Sequence, residues 1–352
     1  MRVLYLFTGV RGGLVEKTRR GEDTGDGTWG MLRLPHFGLD ARHLELEQFI
    51  PGGAARWLRV RIFGVYGAHL PFLFNFFRYD IVFTAGAFVS QLVLTVLQGI
   101  FRFRHPLWVM HDFSITGLLG EEKTLKQKIF RFMTARAGGI VTVGKEEAQK
   151  LKERFPSLAD RIVYIPFGVD TAFFRPGDIK ETGAVLAAGV DPDRDWETLF
   201  AACDGLGIQV VAATRPRGRT VAPPPFVRMS FFTMKQLREE YSRASIVVVP
   251  LDTTTGINDA MGSTALFEAL AMGKAVVATD THTMRSHITH GENGLLVPER
   301  DVAAMRAAIK ELSADQAKRE RLGRAARAYA VANLDAEKLT GELAAYFKNL
   351  LR

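Results

Sequence analysis

A glycine, two hydroxyl residues and a glutamate at the start of one apolar segment form the most informative pattern in the sequence. The segment covers residues 262–280 and begins with Gly262. Ser263 is a candidate N-cap, and the first-turn amides of a helix that starts there have no partner within the helix. Those amides and the helix dipole favour an anion such as a diphosphate. We therefore predict an anion site at Gly262, Ser263, Thr264 and Ala265.

Glu268 adds a carboxylate to this pattern. It follows Thr264 by four residues, so the two side chains share one face of the predicted helix, about one turn apart. A carboxylate placed there can accept hydrogen bonds from two vicinal hydroxyl groups of a ribose. A capped helix with a solvated glutamate explains the same residues equally well, so both interpretations stay open at this point.

Further candidate residues follow short apolar runs near the N-terminus. His111 comes directly after the run 107–110, and Gly12 and Gly13 lie in a glycine-rich turn after the run 3–7. In doubly wound folds, residues at the carboxyl ends of strands bind ligands, so His111 is a candidate site residue, although a lone buried histidine is otherwise more often structural. The glycine spacing is not G-x-G-x-x-G, so a dinucleotide fingerprint is not supported.

An alternation of strands and helices must position these residues. Short apolar runs predict strands at 3–7, 80–84, 107–110, 139–143, 162–165, 184–188, 208–212, 246–250, 275–278 and 295–298. Helices are predicted near 196–203, 233–244, 264–272 and 301–312, with two more after residue 315. This alternation implies parallel sheets, and we expect an α/β protein of two Rossmann-like, doubly wound domains.

The length of 352 residues also favours two domains, because it exceeds the size at which a single core usually stops growing. A polar stretch with proline and glycine ends at residue 183, where the strand–helix alternation restarts. We place the domains at 1–168 and 184–330, with a linker at 169–183. The final helix, 331–352, is expected to pack back toward the N-terminal domain.

Composition is that of a folded globular protein, with 47% hydrophobic and 24% charged residues. The single cysteine, Cys203, is interpreted as a small core residue, which favours a reducing compartment. No export signal is visible, and we expect a cytoplasmic protein. The most apolar stretch, 87–101, is shorter than the roughly 20 residues of a spanning helix, so a buried helix is expected there.

The net charge of +8 is unevenly distributed. Residues 1–170 contain 23 Lys and Arg against 16 Asp and Glu, whereas the remaining residues contain 23 against 22. A basic domain is typical of contact with an anionic membrane, an anionic substrate or nucleic acid. Ordinary solvated helix faces account for the same excess, so charge alone does not identify a partner.

Several segments, in order and at similar spacing, resemble glycosyltransferase family 4, or glycosyltransferase group 1. Segment 262–280, followed by 290–298, resembles the C-terminal signature of these retaining enzymes. Segment 241–250 is similar to the helix and strand before their donor loop, and 164–176 is similar to their interdomain segment. The resemblance implies the GT-B fold, in which two Rossmann-like doubly wound domains face each other across a cleft.

The resemblance also implies a function. It implies transfer of a sugar from a nucleotide-sugar donor, bound mainly by 184–330, to a glycan, glycolipid or other acceptor on the side of 1–168, with retention of anomeric configuration. Cell-envelope or exopolysaccharide synthesis is the implied setting. The donor is a co-substrate, so no cofactor is expected; basic groups and a helix dipole replace a metal. No nucleic acid partner is expected.

Individual roles follow from the same resemblance. Glu268 matches the second glutamate of the family's pair, which usually holds the ribose, and His111 matches a histidine that faces the donor sugar. Gly12 and Gly13 resemble the first-strand loop that approaches the donor phosphate and the acceptor. Position 260, where the family has its first glutamate, is Ala260. The adjacent Asn258 and Asp259 can substitute for that sugar contact.

The segment after the strand 184–188 departs from the family pattern as well. Family members usually carry an arginine just after the glycine that corresponds to Gly189, whereas this chain has Val190. Arg194 is the nearby cation, and its guanidinium can clamp a phosphate. A surface salt bridge with the neighbouring aspartates is the alternative. We do not interpret Asp191-Pro-Asp193 as a metal site, because the resemblance implies a metal-independent enzyme.

Two other functions remain open on the sequence. A nicotinamide-dependent oxidoreductase also has Rossmann-like halves, but the fingerprint after the first strand is missing. A non-catalytic GT-B binding subunit is compatible with Ala260 and Val190. For the acceptor, the basic N-terminal half and the aromatic run 71–77 suggest peripheral docking on the anionic inner face of a membrane, near a lipid-linked glycan; the aromatic residues are alternatively core.

Overall fold

The computed structural model describes residues 1–103, 105–112, 114–121, 123–189, 194–215, 222–254 and 260–352. The chain forms two compact units. Unit 1 comprises residues 1–21, 25–166 and 337–352, and unit 2 comprises residues 22–24 and 167–336. The segment 169–183, which the sequence suggested as a linker, falls within unit 2, and residues 337–352 fall within unit 1.

Unit 1 is built on a six-stranded parallel sheet. Its strands are β1 (Arg2–Phe7), β2 (Asp40–His43), β3 (Ile81–Ala85), β4 (Leu107–Asp112), β5 (Gly139–Thr142) and β6 (Ile162–Tyr164). They lie in the order β2-β1-β3-β4-β5-β6, so the chain reverses its direction of winding between β1 and β3. Such a switch point opens a crevice at the carboxyl ends of the strands, where ligands bind in doubly wound sheets.

The helices of the N-terminal part of unit 1 differ in length. They are α1 (Gly12–Arg19), α2 (Gly52–Leu58), α3 (Gly64–Gly67), α4 (Leu73–Phe76), α5 (Phe88–Phe101), α6 (Ile115–Leu119), α7 (Leu125–Thr134) and α8 (Lys145–Arg154). Thr124 caps α7, because its side chain accepts a hydrogen bond from the amide of Gln127 at 3.2 Å.

Unit 2 contains a second six-stranded parallel sheet. Its strands are β7 (Ala184–Ala188), β8 (Val210–Ala213), β9 (Val227–Ser230), β10 (Ala244–Val249), β11 (Ala275–Thr279) and β12 (Leu295–Val297). From one edge the order is β9-β8-β7-β10-β11-β12, which is the order of dinucleotide-binding Rossmann sheets. The switch point therefore lies between β7 and β10.

Helices cover this second sheet and return the chain to unit 1. They are α9 (Trp196–Cys203), α10 (Met234–Arg243), α11 (Ser263–Ala271), α12 (His282–Arg285), α13 (Val302–Ala314), α14 (Gln316–Asn333) and α15 (Ala336–Leu350). In α15, the buried Phe347 packs its ring 5.3 Å from that of Phe83 in β3. The last helix thus completes the core of unit 1.

The predicted α/β architecture with two doubly wound parallel sheets is confirmed. Each strand predicted from an apolar run overlaps an observed strand, whereas β2 and β9 were not predicted. Both lie at the edge of a sheet, and β2 has the polar sequence DARH with partly exposed residues. An edge strand buries less surface, so it carries a weaker apolar signal than an interior strand.

The interpretation of residues 87–101 as a buried helix is wrong for one of its faces. Helix α5 buries Ser90, Gln91, Leu94 and Thr95, while Val89, Val96, Ile100 and Phe101 are exposed. The helix carries no charged residue, so its outward face is apolar as well. None of the helices in the described residues combines the length and the apolar character needed to cross a membrane.

Candidate functional site

Helix α11 begins beside the switch point of unit 2. Gly262 takes a left-handed conformation (φ 73°), and the helix starts at the next residue. The expected N-cap role of Ser263 is therefore wrong: Gly262, which has no side chain, is the N-cap residue. A left-handed turn favours glycine over serine at this position. The first-turn amides of Thr264 and Ala265 have no acceptor within the helix itself.

A pocket of about 270 Å³ lies at this helix start. It sits at the carboxyl ends of β7 and β8, next to the switch point between β7 and β10. Six residues singled out from the sequence line it together: Gly189, Arg194, Gly262, Thr264, Ala265 and Glu268. The fold thus gathers residues that are up to 79 positions apart in the chain. We call this cavity the unit 2 pocket.

Glu268 is buried in this pocket, with 6% of its surface exposed. The hydroxyl of Tyr241 in α10 donates a hydrogen bond to Glu268 Oε2 at 2.9 Å. Burial, followed by the negative charge of Glu268, raises the pKa of Tyr241 well above its ordinary value, so the phenol keeps its proton. The interpretation of Glu268 as a solvated helix residue does not fit this environment. In the sequence, Tyr241 begins the segment that is similar to a helix and strand of the family. No local pattern indicates its contact with Glu268.

Arg194 brings a cation into the same pocket. It is 6% exposed, and its backbone pairs with Leu251 just after β10. Its guanidinium packs against the backbone of Gly189, where an added Cβ would lie 2.3 Å from Arg194 Nε. Asp195, one of its suggested salt-bridge partners, instead caps α9 by accepting the amide of Thr198 at 3.0 Å. Asp191 and Asp193, the other two suggested partners, lie outside the described residues, so the salt-bridge alternative stays open.

Five residues that were considered from the sequence as candidate contacts or as departures from the family pattern lie outside the described residues: Val190, Asp191, Asp193, Asn258 and Asp259. Ala260 is described and lines the unit 2 pocket with a methyl group, so it supplies no hydrogen bond from its side chain. Within the described part of the chain, no group of three or more histidine, cysteine and acidic residues is placed to hold a metal ion.

His111 lies in unit 1, at the end of β4. Its ring contacts those of Trp29 and Phe83, with centroids 4.9 Å and 5.0 Å away. Burial lowers the pKa of His111 to about 3, so the imidazole is neutral near pH 7. The residue lines a second cavity of about 460 Å³ at the carboxyl ends of β1, β3 and β4, which we call the unit 1 pocket.

Gly12 and Gly13 start α1, and a side chain of the protein already occupies that helix end. The carboxylate of Glu45 accepts the amide hydrogens of Arg11 at 2.8 Å and Gly12 at 3.0 Å. Glu45 is more than 30 residues away in the chain, so no local pattern indicated this contact. Gly12 and Gly13 are not among the described residues that line the unit 1 pocket.

The sequence of the second half matches a known family. Residues 225–329 match the family model of glycosyl transferases group 1. D-inositol 3-phosphate glycosyltransferases of Geodermatophilus obscurus and Nocardia farcinica are 28% and 26% identical over 249 and 244 residues. The alignments cover 60% of this chain in both cases, and 51% and 53% of the relatives. The chain thus spans about half the length of these curated relatives.

Solved structures resemble the whole chain. Sucrose-phosphate synthase from Thermosynechococcus elongatus has a TM-score of 0.72 at 17% identity, covering 99% of this chain and 98% of that one. HepE of Anabaena in complex with UDP-glucose has a TM-score of 0.69 at 13% identity, covering 99% and 100%. At such identities the likeness concerns the fold. The chain has the fold of GT-B glycosyltransferases, and its residues 225–329 carry the sequence pattern of glycosyl transferases group 1.

Proposed function

We propose that this chain is a retaining glycosyltransferase of family 4, which transfers a hexosyl group from a nucleoside-diphosphate sugar to an acceptor hydroxyl. The observation that carries the proposal is the unit 2 pocket, where a helix N-terminus, the buried Arg194 and the buried Glu268 converge. This set combines positive groups that can bind a diphosphate with a carboxylate that can bind the hydroxyls of a ribose. HepE of Anabaena, which shares the fold, forms complexes with UDP and with UDP-glucose.

Each part of the donor has a partner in this proposal. The diphosphate lies at the first-turn amides of α11 and against the Arg194 guanidinium, since both present donors to phosphate oxygens. The ribose hydroxyls donate to Glu268, about one helical turn, or roughly 5 Å, from the amides. Tyr241 orients that carboxylate through its 2.9 Å hydrogen bond. The transferred sugar lies toward the loop that ends at Ala260.

The proposed reaction breaks the bond between the anomeric carbon and the diphosphate oxygen. The acceptor oxygen forms its new bond on the same face, and its proton passes to the leaving diphosphate. Negative charge develops on that diphosphate in the transition state. The fixed cation and helix dipole stabilise it, which is usually a large part of catalysis. Because these groups neutralise the charge, the proposal assigns no role to a metal or a cofactor.

His111 remains a predicted sugar contact. Its neutral imidazole has one nitrogen that donates and one that accepts, so it can pair with a sugar hydroxyl without adding charge. For the acceptor we propose a small or lipid-linked glycan or polyol. The relatives named as D-inositol 3-phosphate glycosyltransferases support a polyol acceptor. A role in cell-envelope or exopolysaccharide synthesis stays part of the proposal, as does a cytoplasmic location.

A nucleotide-binding experiment tests the donor site. We expect UDP or another nucleoside diphosphate to raise the Tm of the wild type, since a ligand of the native state stabilises it. Glu268→Ala and Arg194→Ala should weaken this binding by at least tenfold in isothermal titration calorimetry, because each removes a charged hydrogen bond of about 1.5–3 kcal/mol. Arg324→Ala, on an exposed face of α14, is the matched control and should bind like the wild type.

Three outcomes separate the functions. Stabilisation by NAD and by no nucleoside diphosphate would identify a nicotinamide-dependent oxidoreductase and reject the transferase. Wild-type affinity in both site variants would reject the donor site. A non-catalytic binding subunit has one observation in its favour, the methyl group of Ala260 in the pocket. Slow hydrolysis of the bound sugar nucleotide, followed by NMR of the released anomer, argues against that subunit.

Unit 1 offers a surface for peripheral docking on an anionic membrane, which we propose as the location of the reaction. Thirteen of the nineteen exposed large apolar side chains among the described residues lie between residues 48 and 111. The same segment contains six arginines and one acidic residue, Asp80. Exposed apolar groups bordered by cations suit the interface of a bilayer with anionic headgroups.

These side chains come from neighbouring elements and form what we call the apolar-arginine surface. The rings of Phe77 and Phe103 lie 5.5 Å apart, and those of Phe101 and Phe103 lie 5.7 Å apart. Phe74 is the most exposed member, at 87%. The surface further includes Trp57, Val60, Ile62, Val65, Tyr66, Val96 and Ile100, with the exposed Arg56, Arg61, Arg78 and Arg102.

A further inference from the structure

Two charged residues after β12 hold the chain where it leaves β10 in unit 2. The carboxylate of Glu299 accepts hydrogen bonds from both the amide and the hydroxyl of Thr253, the latter at 2.7 Å. The guanidinium of Arg300 donates to Asp252 Oδ2 at 2.5 Å and to the hydroxyl of Thr254 at 3.2 Å. We call these five residues the β10–β12 clamp.

The clamp borders the unit 2 pocket. Leu251, which precedes it, forms a backbone bridge with Arg194 of the pocket. The side chain of Leu251 also packs on the start of α11, because an added Cβ on Gly262 would lie 3.1 Å from Leu251 Cδ1. The connection that begins at Asp252 ends at Ala260, which lines the pocket. The clamp therefore holds one end of the connection toward which the transferred sugar is proposed to lie.

Arg300 has a backbone conformation that arginine rarely takes. Its φ is 58°, in the left-handed region where a Cβ atom is crowded and glycine is favoured. Its side chain is 56% exposed, so burial of that side chain does not offset the strain. An exposed salt bridge such as the one with Asp252 contributes little to stability. Strain that stability does not explain is typical of residues that serve a function.

The charge pair of the clamp persists at neutral pH. Burial acts to raise the pKa of Asp252, but hydrogen bonds from Thr254 and Arg300 lower it to about 2, so the carboxylate stays ionised. The charge of Arg300 also interacts with Asp195, the N-cap residue of α9, which directly follows Arg194. A single guanidinium thus links the chain after β10, the chain after β12 and the start of α9.

We propose that Glu299 and Arg300 are positioning residues for the transferred sugar. They act through the three residues after β10 that they hold, and they fix where this segment lies beside the sugar end of the donor. Neither residue contacts the diphosphate, which the proposed function places at Arg194 and the start of α11. This inference rests on the proposed function, because the role requires a bound sugar nucleotide. The sequence predicted no role for either residue.

Hydrolysis of a sugar nucleotide by the full chain tests this role. The probes are UDP-glucose, UDP-galactose, UDP-N-acetylglucosamine and GDP-mannose, and the one that the wild type hydrolyses fastest is used for the variants. Where the wild type binds the probes without hydrolysing them, the ratio of their Kd values to that of the free nucleoside diphosphate takes the place of kcat.

Arg300→Gly is the main variant, because glycine adopts this φ freely and the change removes the guanidinium without adding strain. We expect kcat to fall by about tenfold or more, since a small misplacement of a reacting group is costly. The affinity for the free nucleoside diphosphate, measured by calorimetry, should stay near that of the wild type. This split between kcat and nucleotide affinity is not expected of a residue that only supports the fold.

Three further variants test the other members of the clamp. Asp252→Asn keeps the shape of the side chain but removes the charge that Arg300 meets, so it should lower kcat as Arg300→Gly does. Glu299→Ala removes both acceptors of Thr253 and should have the same effect. Arg300→Lys keeps a cation in reach of Asp252 and should recover part of the lost kcat.

Arg243→Gln is the matched control. It breaks an exposed ion pair with Glu239 just before β10, at the opposite end of the same strand, and should behave like the wild type.

The outcomes separate this inference from the proposed function. Wild-type kcat in Arg300→Gly and Asp252→Asn overturns the positioning role and leaves the transferase proposal intact. Equal losses of kcat and of nucleoside-diphosphate affinity, together with a lower Tm, would show a clamp that only supports the fold, and would also overturn the inference. A wild type that neither binds a nucleoside diphosphate nor binds or hydrolyses any of the probes overturns the proposed function itself.

Discussion

At the scale of single residues, the hydroxyl of Tyr241 is the group that holds Glu268 in the proposed donor site. It is fully buried, donates to Glu268 Oε2 at 2.9 Å and lies 3.3 Å from the carbonyl of Ala265. A buried carboxylate without such a donor loses part of its compensation for desolvation. The position of Glu268, and with it the proposed ribose contact, depends on this phenol.

We therefore expect Tyr241→Phe to weaken nucleoside-diphosphate binding by about three- to tenfold and to cost about 1–2 kcal/mol of stability, because a buried carboxylate loses its donor. Calorimetry and thermal unfolding measure the two effects. Tyr346→Phe is the matched control, since it removes a hydroxyl that donates to the Arg161 carbonyl in unit 1. The control should lose stability without losing nucleotide affinity. Equal affinity in both variants would contradict the role of Tyr241.

Two buried histidines of unit 1 predict acid sensitivity. Burial lowers the pKa of His111 to about 3 and that of His69 to about 4, both from an ordinary value of 6.5. The unfolded chain therefore takes up protons below pH 6.5 that the folded chain does not accept. Above pH 6.5 these histidines do not make stability depend on pH. Below pH 6.5 the free energy of unfolding falls by about 1.4 kcal/mol per pH unit for each histidine, until the pH reaches its folded pKa.

The expected result is a fall in the Tm of the wild type between pH 6.5 and 4, which thermal unfolding across this range measures. His69→Gln should show a shallower fall, because glutamine does not titrate. An identical pH dependence in the variant and the wild type would show that His69 accepts its proton in the folded state.

At the scale of elements, the junction between β10 and α11 positions the proposed donor site. Gly262 adopts φ 73°, and an added Cβ would lie 3.0 Å from Met284 Cε and 3.1 Å from both Leu251 Cδ1 and Val249 Cγ1. The backbone conformation and the surrounding core both exclude a side chain. The start of α11 is thus fixed by packing around one glycine.

Gly262→Ala should lower stability by about 1–3 kcal/mol and weaken nucleotide binding, because relief of the strain displaces the first turn of α11. Thermal unfolding and calorimetry with UDP measure the two changes. Gly53→Ala in α2 is the matched control: its added Cβ meets no atom within 4 Å, so the variant should be as stable as the wild type or more so. Unchanged stability and affinity in Gly262→Ala would show that the glycine does not fix the start of α11.

At the scale of the whole molecule, the apolar-arginine surface raises the question of what covers it. A symmetric pair of copies would place the same arginines against each other, because an isologous interface repeats one patch. That arrangement brings like charges together. An anionic bilayer instead supplies the opposite charge and an apolar interior, so we expect membrane docking and not self-association.

The chain should float with vesicles of phosphatidylglycerol and phosphatidylcholine at low ionic strength, and less so at high ionic strength. The double variant Arg56→Glu with Arg61→Glu should lose at least tenfold in apparent affinity, since each arginine near the surface contributes about 1 kcal/mol. Arg324→Glu in unit 2 is the control. Absence of flotation at low salt, or a dimer on size-exclusion chromatography that the double variant dissolves, would reject the membrane as the occupant.

Local sequence by itself determined the interior strands and the existence of α11, but placed its N-cap one residue late. Runs such as 246–250 and 275–278 are apolar because parallel strands in the middle of a sheet are buried on both faces. The four-residue spacing from Thr264 to Glu268 places the two side chains on one face of a helix, whatever surrounds them. Strands β2 and β9 escaped prediction because at most one of the four residues in each is buried, which leaves little apolar signal.

Tertiary structure alone decided which of these residues meet and what surrounds them. The contact of Tyr241 with Glu268 joins residues 27 positions apart, and Glu45 reaches Gly12 across 33. Nor does local pattern say that Gln91 is buried beside a pocket, or that α15 completes the core of unit 1. A residue's neighbours along the chain set its conformation and periodicity, whereas long-range packing sets its burial, its charge partners and its accessibility to a ligand.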